Sequence, residues 1–337
     1  MATLGTNVVT YLDIASRLGP DNKISGIIEL LNKTNSILED MATVEGNLPT
    51  GHKSTIRTGL PTATWRLLNY GVQPTKSITS QIVDTCGMLE AYAEVDKSLA
   101  DLNGNTAAWR LSEDQAHLEA MNQQMATALF YGNQATNPER ITGLMPRYPQ
   151  YGANDPSVTA YNCLDVHAAA SGAVQTSIWL IVWGPNTVHA IYPKGSNSGG
   201  VDFENKGQVT LDDSRTPPGH YEGYRTHYKW DLGFTVRDWR YAVRCANVDT
   251  ALLSATAVDL FFGMTKAYYR IPSFGMGRAV FYCNNLILEY LQHQAAVKAN
   301  LALKYEEVGG KPLTSFMGIP IRRCDALLNT EAEVLTI

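Results

Sequence analysis

The sequence predicts an α+β fold carrying an extended hairpin and a helical terminal arm, and three observations lead there. Hydrophobic spacing changes between a period of 3.6 and a period of two along the 337 residues, so helices and strands share one chain. EDQAHLEAMNQQMATALFYGN reads as one long helix, and GYRTHYKWDLGFTVRDWRYAVRCANVD as strand of unusual length. EGNLPTGHKSTIRTGLPTATWRLLNYGVQPTKS, residues 45–77, holds too many turn-formers to build a core of its own.

The first 40 residues hold two helical patterns parted by Gly19-Pro20. Val8 or Val9, Leu12, Ala15 and Leu18 share one face; after Asp21 as cap, Ile24, Ile27, Ile28, Leu31 and Leu38 follow a helical period, broken by Asn and Thr near residue 34. Short amphipathic helices at a terminus need a surface, more often the protein's own body than a neighbour. In the next tract, glycines at 46, 51, 59 and 71 and prolines at 49, 61 and 74 punctuate the chain. The alternation from Thr64 through Trp65, Leu67, Leu68 and Tyr70 to Val72 asks for a strand with one face covered. A long hairpin reaching away from the body satisfies both features, provided something outside the subunit covers it. The four glycines are then candidate flexible joints.

Residues 77–102 mix strand and helix signals. Ser112 with Gln115 forms a capping box before a stripe of Leu118, Met121, Met125 and Leu129 that stops at Gly132, which predicts a helix over 112–132, near 30 Å long. From residue 174 the period becomes two. SIWLIVWG, a tight turn at Pro185-Asn186 and TVHAIYP read as strand, turn and strand, and VDFENKGQVTLDD as a small hairpin across Asn205-Lys206-Gly207. In 223–249, Tyr224, Tyr228, Trp230, Leu232, Phe234 and Val236 alternate with polar residues. The phase slips past Arg237 and Asp238, as a bulge or tight turn produces. The last 90 residues read as α/β: helix TALLSATAVDLFFGMTKAYYR, strand RAVFYC, Asn284 or Asn285 capping LILEYLQHQAAVK, then strands in LALKY and FMGIPIRRCDALL.

Composition narrows function by exclusion. A formal net charge of −5 gives no global field toward nucleic acid or anionic membrane. No apolar run approaches the roughly 18 residues of a membrane span, and the N-terminus lacks a cationic start and an apolar block, so a cytosolic product is expected. Cys86, Cys163, Cys245, Cys283 and Cys324 form no C-x-x-C pair and read as reduced small hydrophobes. No two of the seven histidines lie three to five residues apart, so a local metal site is not predicted, although ligands from distant segments stay open. Gly275-Met276-Gly277-Arg278 lacks a third glycine and precedes a strand where a dinucleotide loop must follow one. Gly195-Ser196-Asn197-Ser198-Gly199 puts Asn197 where a nucleophile elbow needs serine. Lys53, Lys76, Glu113, Asp114 and Glu119 read as solvated charges. The reading is therefore of no catalytic, cofactor-binding or metal residues and no cofactor; the rival is a soluble enzyme or ligand-binding α+β protein whose site converges from distant loops.

A protein whose business is geometry fits that outcome. The stretches IWLIVWGPNTVHAIYPKG, YRTHYKWDLGFTVRDWRYAVRCANVD and FMGIPIRRCDALL, with the order of elements, resemble the major capsid proteins of tailed bacteriophages with the Hong Kong 97-like fold, in particular those of short-tailed epsilon15-like phages. The resemblance implies an N-terminal arm at 1–40, an extended hairpin (E-loop) at 41–80, a mainly peripheral domain at 81–249 with spine helix 112–132 and long strands, and a mainly axial domain at 250–337. It implies a chain without catalysis that self-assembles as pentamers and hexamers into an icosahedral shell around double-stranded DNA, with no sequence-specific DNA binding. The virion, made in the bacterial host cytoplasm, is the implied location. Implied partners are further copies of itself, a separate scaffolding protein, a portal, and a decoration or cement protein. Leu12, Ile27, Leu31, Trp65, Leu67, Leu68 and Tyr70 become the implied inter-subunit contacts. An encapsulin-like nanocompartment shell is the alternative within the same fold.

Overall fold

The structure, a computed structural model, describes residues 33–101, 106–166, 174–196, 200–213, 218–251, 253, 259–298, 303–308 and 311–337. In chain order the strands are β1 (Thr43–Glu45), β2 (Gly51–Gly59), β3 (Ile78–Asp96), β4 (Gln150–Tyr151), β5 (Cys163–Asp165), β6 (Gln175–Trp183), β7 (Val188–Tyr192), β8 (Asp202–Asp212), β9 (His220–Val236), β10 (Ala242–Asp249), β11 (Arg278–Cys283), β12 (Leu303–Val308), β13 (Lys311–Phe316), β14 (Ile319–Arg323) and β15 (Leu335–Thr336). The longer helices are α1 (Thr106–Tyr131), α2 (Leu260–Arg270) and α3 (Asn285–Lys298). The described residues fall into two compact units, one made of stretches within 88–125 and 200–231 and one made of stretches within 34–87, 126–199 and 232–337, with the divides inside β3, α1 and β9.

In the larger unit β6 is the centre. Its run of QTSIWLIVW is buried at every position, as a strand covered on both faces must be. It pairs antiparallel with β10, Ala242 opposite Ile181, and with β11, Phe281 opposite Leu180. On the Leu180 side, Phe281 meets Phe316, which in turn stacks on Phe261 of α2. On the Trp179 side the indole packs against Phe130 and Tyr148. Each large side chain buried this way stabilises by about 1.5–3 kcal/mol. The sheet continues from β11 through β14 to β13 and β12, with Met317 (φ 50°) and Gly318 (φ 82°) forming the two-residue turn between β13 and β14. Asp259 caps α2 through the Phe262 amide, and Asn284 caps α3 through the Ile287 amide. The helix predicted from Thr250 starts only at Leu260; residues 252 and 254–258 lie outside the described set.

In the smaller unit β8 pairs antiparallel with β9, from Asp202 opposite Lys229 to Asp212 opposite His220. Thr226, Tyr228 and Trp230 are buried and Arg225, His227 and Lys229 only half-buried, the alternation read in the sequence. Val95, Ala100 and Trp109 form a small core lined by Leu99 and Tyr224. Here one expectation fails: within residues 201–213 the chain forms one strand, Asp202–Asp212, not a hairpin. Gly207, at φ 72°, places a bulge in β8, and the Asn205 side chain accepts from its amide. The positive-φ glycine that a tight turn needs serves a bulge equally well, so Asn-Lys-Gly is ambiguous in sequence.

Two other boundaries move. α1 runs 26 residues, about 39 Å, starting six residues before the Ser112 capping box, with Thr106 donating from its hydroxyl to Asp101. The slip at Arg237 and Asp238 is a tight turn. Asp238 caps the short helix Trp239–Tyr241, and the chain emerges as β10, paired with β6 and β5.

Candidate assembly surfaces

The hairpin is built from β2 and β3, in register from Gly51 opposite Thr85 to Gly59 opposite Ile78. Between them, residues 60–76 are all exposed and none is in a strand. The strand expected over 64–72 is therefore absent: its alternation pairs with no sheet edge among the described residues, prolines at 61 and 74 withhold two backbone donors, and Asn69 turns the chain at φ 68°. Trp65 is 101% exposed, Leu68 87%, Leu67 73% and Tyr70 70%. The structure thus brings these four together on one bare tip. Leu12, Ile27 and Leu31 lie outside the described residues.

The root of the hairpin is dense. A Cβ on Gly46 would stand 2.6 Å from the Gly51 carbonyl oxygen, and one on Gly51 would stand 2.1 Å from that of Asp84. Both glycines serve close backbone approach, which corrects their expected role as joints; Gly71 alone of the four has open space around it. The Asn47 side chain clasps Lys53, accepting from its amide and donating to its carbonyl, each at 2.7 Å. Asp84, opposite His52 in the register, accepts from Arg147 Nη2 at 2.8 Å and from the Thr235 hydroxyl. Behind it the rings of His52 and fully buried His189 meet edge to face, centroids 5.9 Å apart. Burial, then the cationic Arg237 nearby, lowers the pKa of His52. Burial, His52 and Arg237 bring His189 down to about 4.

Two further buried charged clusters tie distant segments to β6 and its neighbours. Asp40, in the helical turn Ile37–Asp40, accepts from Tyr282 Oη at 2.9 Å and pairs through one carboxylate oxygen with Arg278 and Arg322, each at 3.1 Å. Tyr282 also accepts from the Trp183 indole at 2.8 Å, and burial followed by the Asp40 charge drives its phenol pKa upward. Near the C-terminal end, Glu331 pairs with Arg244 at 2.9 Å, both almost fully buried, and accepts from the Ser177 and Tyr131 hydroxyls. Arg244 also donates to the Tyr148 carbonyl at 3.1 Å and lies over the Trp179 ring. Neither cluster was singled out in the sequence. Partners 87 or 242 residues apart leave no local spacing to detect.

Among the described residues no group of three His, Cys, Asp or Glu side chains is arranged to hold a metal ion. Lys53 and Lys76 are exposed. Gly275 and Gly277 both precede β11, and a Cβ on Gly277 would stand 2.1 Å from the Trp183 carbonyl oxygen, so that glycine serves packing. Four of the cysteines are buried, and burial raises Cys163 to about 11 and Cys245, Cys283 and Cys324 to about 12.

Residues 19–335 match the family model of the major capsid protein GP7. The chain is also similar to the capsid protein in the near-atomic structure of bacteriophage epsilon15, with 38% identity over 100% of both chains and a TM-score of 0.76. The chain belongs to this family of phage major capsid proteins. As a family member it forms a capsid shell from multiple copies of itself, resides in the virion, and has the Hong Kong 97-like fold. Fainter likenesses reach the capsid of bacteriophage JBD30, at 9% identity, 88% of this chain and 93% of that one, TM-score 0.47. The holo-SrpI encapsulin complex of Synechococcus elongatus PCC 7942 follows at 12%, 72% and 97%, TM-score 0.39. No match is found among curated proteins. The encapsulin likeness is distant and adds nothing to the phage capsid assignment.

Proposed function

We propose that this capsid protein closes an icosahedral shell of pentamers and hexamers around double-stranded DNA by lending its hairpin and N-terminal arm to neighbouring copies. The observation that carries this reading is the bare tip: Trp65, Leu67, Leu68 and Tyr70 stand in solvent with no apolar cover from the described residues of their own chain. Contiguous apolar surface of that kind marks an association site, and shells need heterologous contacts that stay unsatisfied in the lone subunit. Leu12, Ile27 and Leu31 on the arm are assigned the same role. Residues 1–40 act as the arm, 41–80 as the E-loop, 81–249 mainly as the peripheral domain and 250–337 mainly as the axial domain. The subunit works without catalysis. With a net charge of −5 the wall contains DNA by repulsion and does not grip its sequence. A separate scaffolding protein, a portal and a decoration or cement protein complete the head.

The test is co-expression of the chain with its genomic neighbours, wild type beside Trp65→Ala/Leu68→Ala, followed by electron microscopy. The expected outcome is closed heads from the wild type and folded but unassembled subunits from the double variant. Wild-type yields of heads from the variant would remove the tip from the assembly.

A further inference from the structure

The hairpin joins the body at one place where two imidazoles touch. His52 is the second residue of β2, and His189 lies in β7, the strand that β2 reaches at the root. The charged and titratable groups around them are few. β3 contributes Asp84 and Cys86, the turn after α1 contributes Arg147, and the end of β9 contributes Arg237. β6 carries no charged side chain, and the one titratable group of β1, Glu45, faces the Gly195 amide at 3.1 Å. The only carboxylate within the cluster, Asp84, already accepts from Arg147 and Thr235. A proton added to either ring therefore places a cation beside another cation, in a site with no spare anion and little water.

We propose that the His52–His189 pair is a proton-operated release at the root of the hairpin, seating β2 against β7 while both rings are neutral and loosening it when acid charges them. The direction follows from linkage. The seated root keeps His189 neutral down to about pH 4, whereas in an opened root it takes up its proton near the ordinary value of about 6.5. Acid thus favours the open root progressively across that window, and the effect levels off only below its lower end. Leaving the pairing of β6 with β10 and β11 untouched, the release changes the seating of the hairpin and not the fold. This inference concerns the root alone and stands whether or not the tip docks on a neighbour.

Hydrogen exchange of the full-length chain, read by mass spectrometry at pH 7.5 and pH 5.0 with intrinsic rates corrected, tests it. Protection of amides 51–59 is expected to fall at least tenfold at pH 5.0 while that of 175–183 holds within twofold. A fall below twofold at 51–59, or a parallel loss at 175–183, overturns the proposal. In H52Q/H189Q the acid loss at 51–59 is expected to vanish, and its persistence at the wild-type size also overturns it. Should that variant fail to fold, H52Q alone, altered at the half-buried ring, is expected to cut the acid loss at least threefold, and an undiminished loss is refuting.

Discussion

Glu331→Ala removes the single carboxylate that neutralises Arg244, and its cost can be assembled from the contacts. Arg244 is 1% exposed and keeps only the Tyr148 carbonyl and the Ser177 hydroxyl as acceptors. The hydroxyls of Ser177 and Tyr131 lose their carboxylate acceptor at the same time. Truncating one partner of a buried ion pair costs about 3–5 kcal/mol, because the remaining charge is stranded in low dielectric. Against a total stability of about 5–15 kcal/mol for a typical domain, that leaves a marginal subunit. Glu331→Gln keeps the shape and one acceptor, so roughly half the loss is expected. The assay is urea unfolding of unassembled subunits, with the midpoint shift converted at constant slope. Because the pair is shielded from solvent ions, the loss should be the same in 0.05 M and 0.5 M salt to within about 0.5 kcal/mol. A loss below about 1 kcal/mol for Glu331→Ala would refute the argument that this carboxylate holds the C-terminal segment to the core.

Trp65→Ala/Leu68→Ala should leave the stability of the isolated subunit, read by urea unfolding, unchanged to within about 0.5 kcal/mol, since the indole is 101% and the isobutyl-bearing Leu68 87% exposed; a larger drop would mean the tip packs on its own body. Gly51→Ala should destabilise by about 1–3 kcal/mol and lower hydrogen-exchange protection of β2, because the new methyl meets the Asp84 carbonyl, while Gly71→Ala, in open space, should do neither. Maleimide at pH 7.5 should label half-buried Cys86 well ahead of the four buried thiols, three of them raised to about 12; rapid labelling of Cys283 or Cys324 in the folded chain would contradict their burial.

What the sequence made legible was periodicity with a local partner. β9 reads true because its alternate side chains meet cover along most of its length, and β6 because an unbroken apolar run has one stable environment. Two misreadings share one cause. Asn205-Lys206-Gly207 and the Thr64–Val72 alternation are both locally consistent with the predicted element, and only the presence or absence of a pairing edge decides between outcomes. The exposed tip was visible in advance as apolar residues inside a turn-rich tract. The root was not: His52 and His189 are 137 positions apart, and they meet where β2 reaches β7 without pairing with it. Gly46 and Gly51 looked like joints because composition reports permissiveness and not crowding.

The distribution of order along the hairpin carries a physical consequence for assembly. Its root is fixed by glycine-tight backbone contacts and a saturated carboxylate, whereas its tip carries four large apolar side chains bare. Docked on a neighbour as proposed, those four would gain roughly 6–12 kcal/mol of gross burial at about 1.5–3 kcal/mol each. Ordering them costs about 0.5–1.5 kcal/mol apiece, and association itself costs several kcal/mol more. The net for one tip is therefore small, weak enough for a misplaced subunit to leave. On that proposal, a subunit that also received a neighbour's tip and contributed its arm would have several such contacts, and their sum would hold it. Reversibility early and permanence late would then arise from the same side chains, with the root only having to present the tip in a fixed direction while the shell closes.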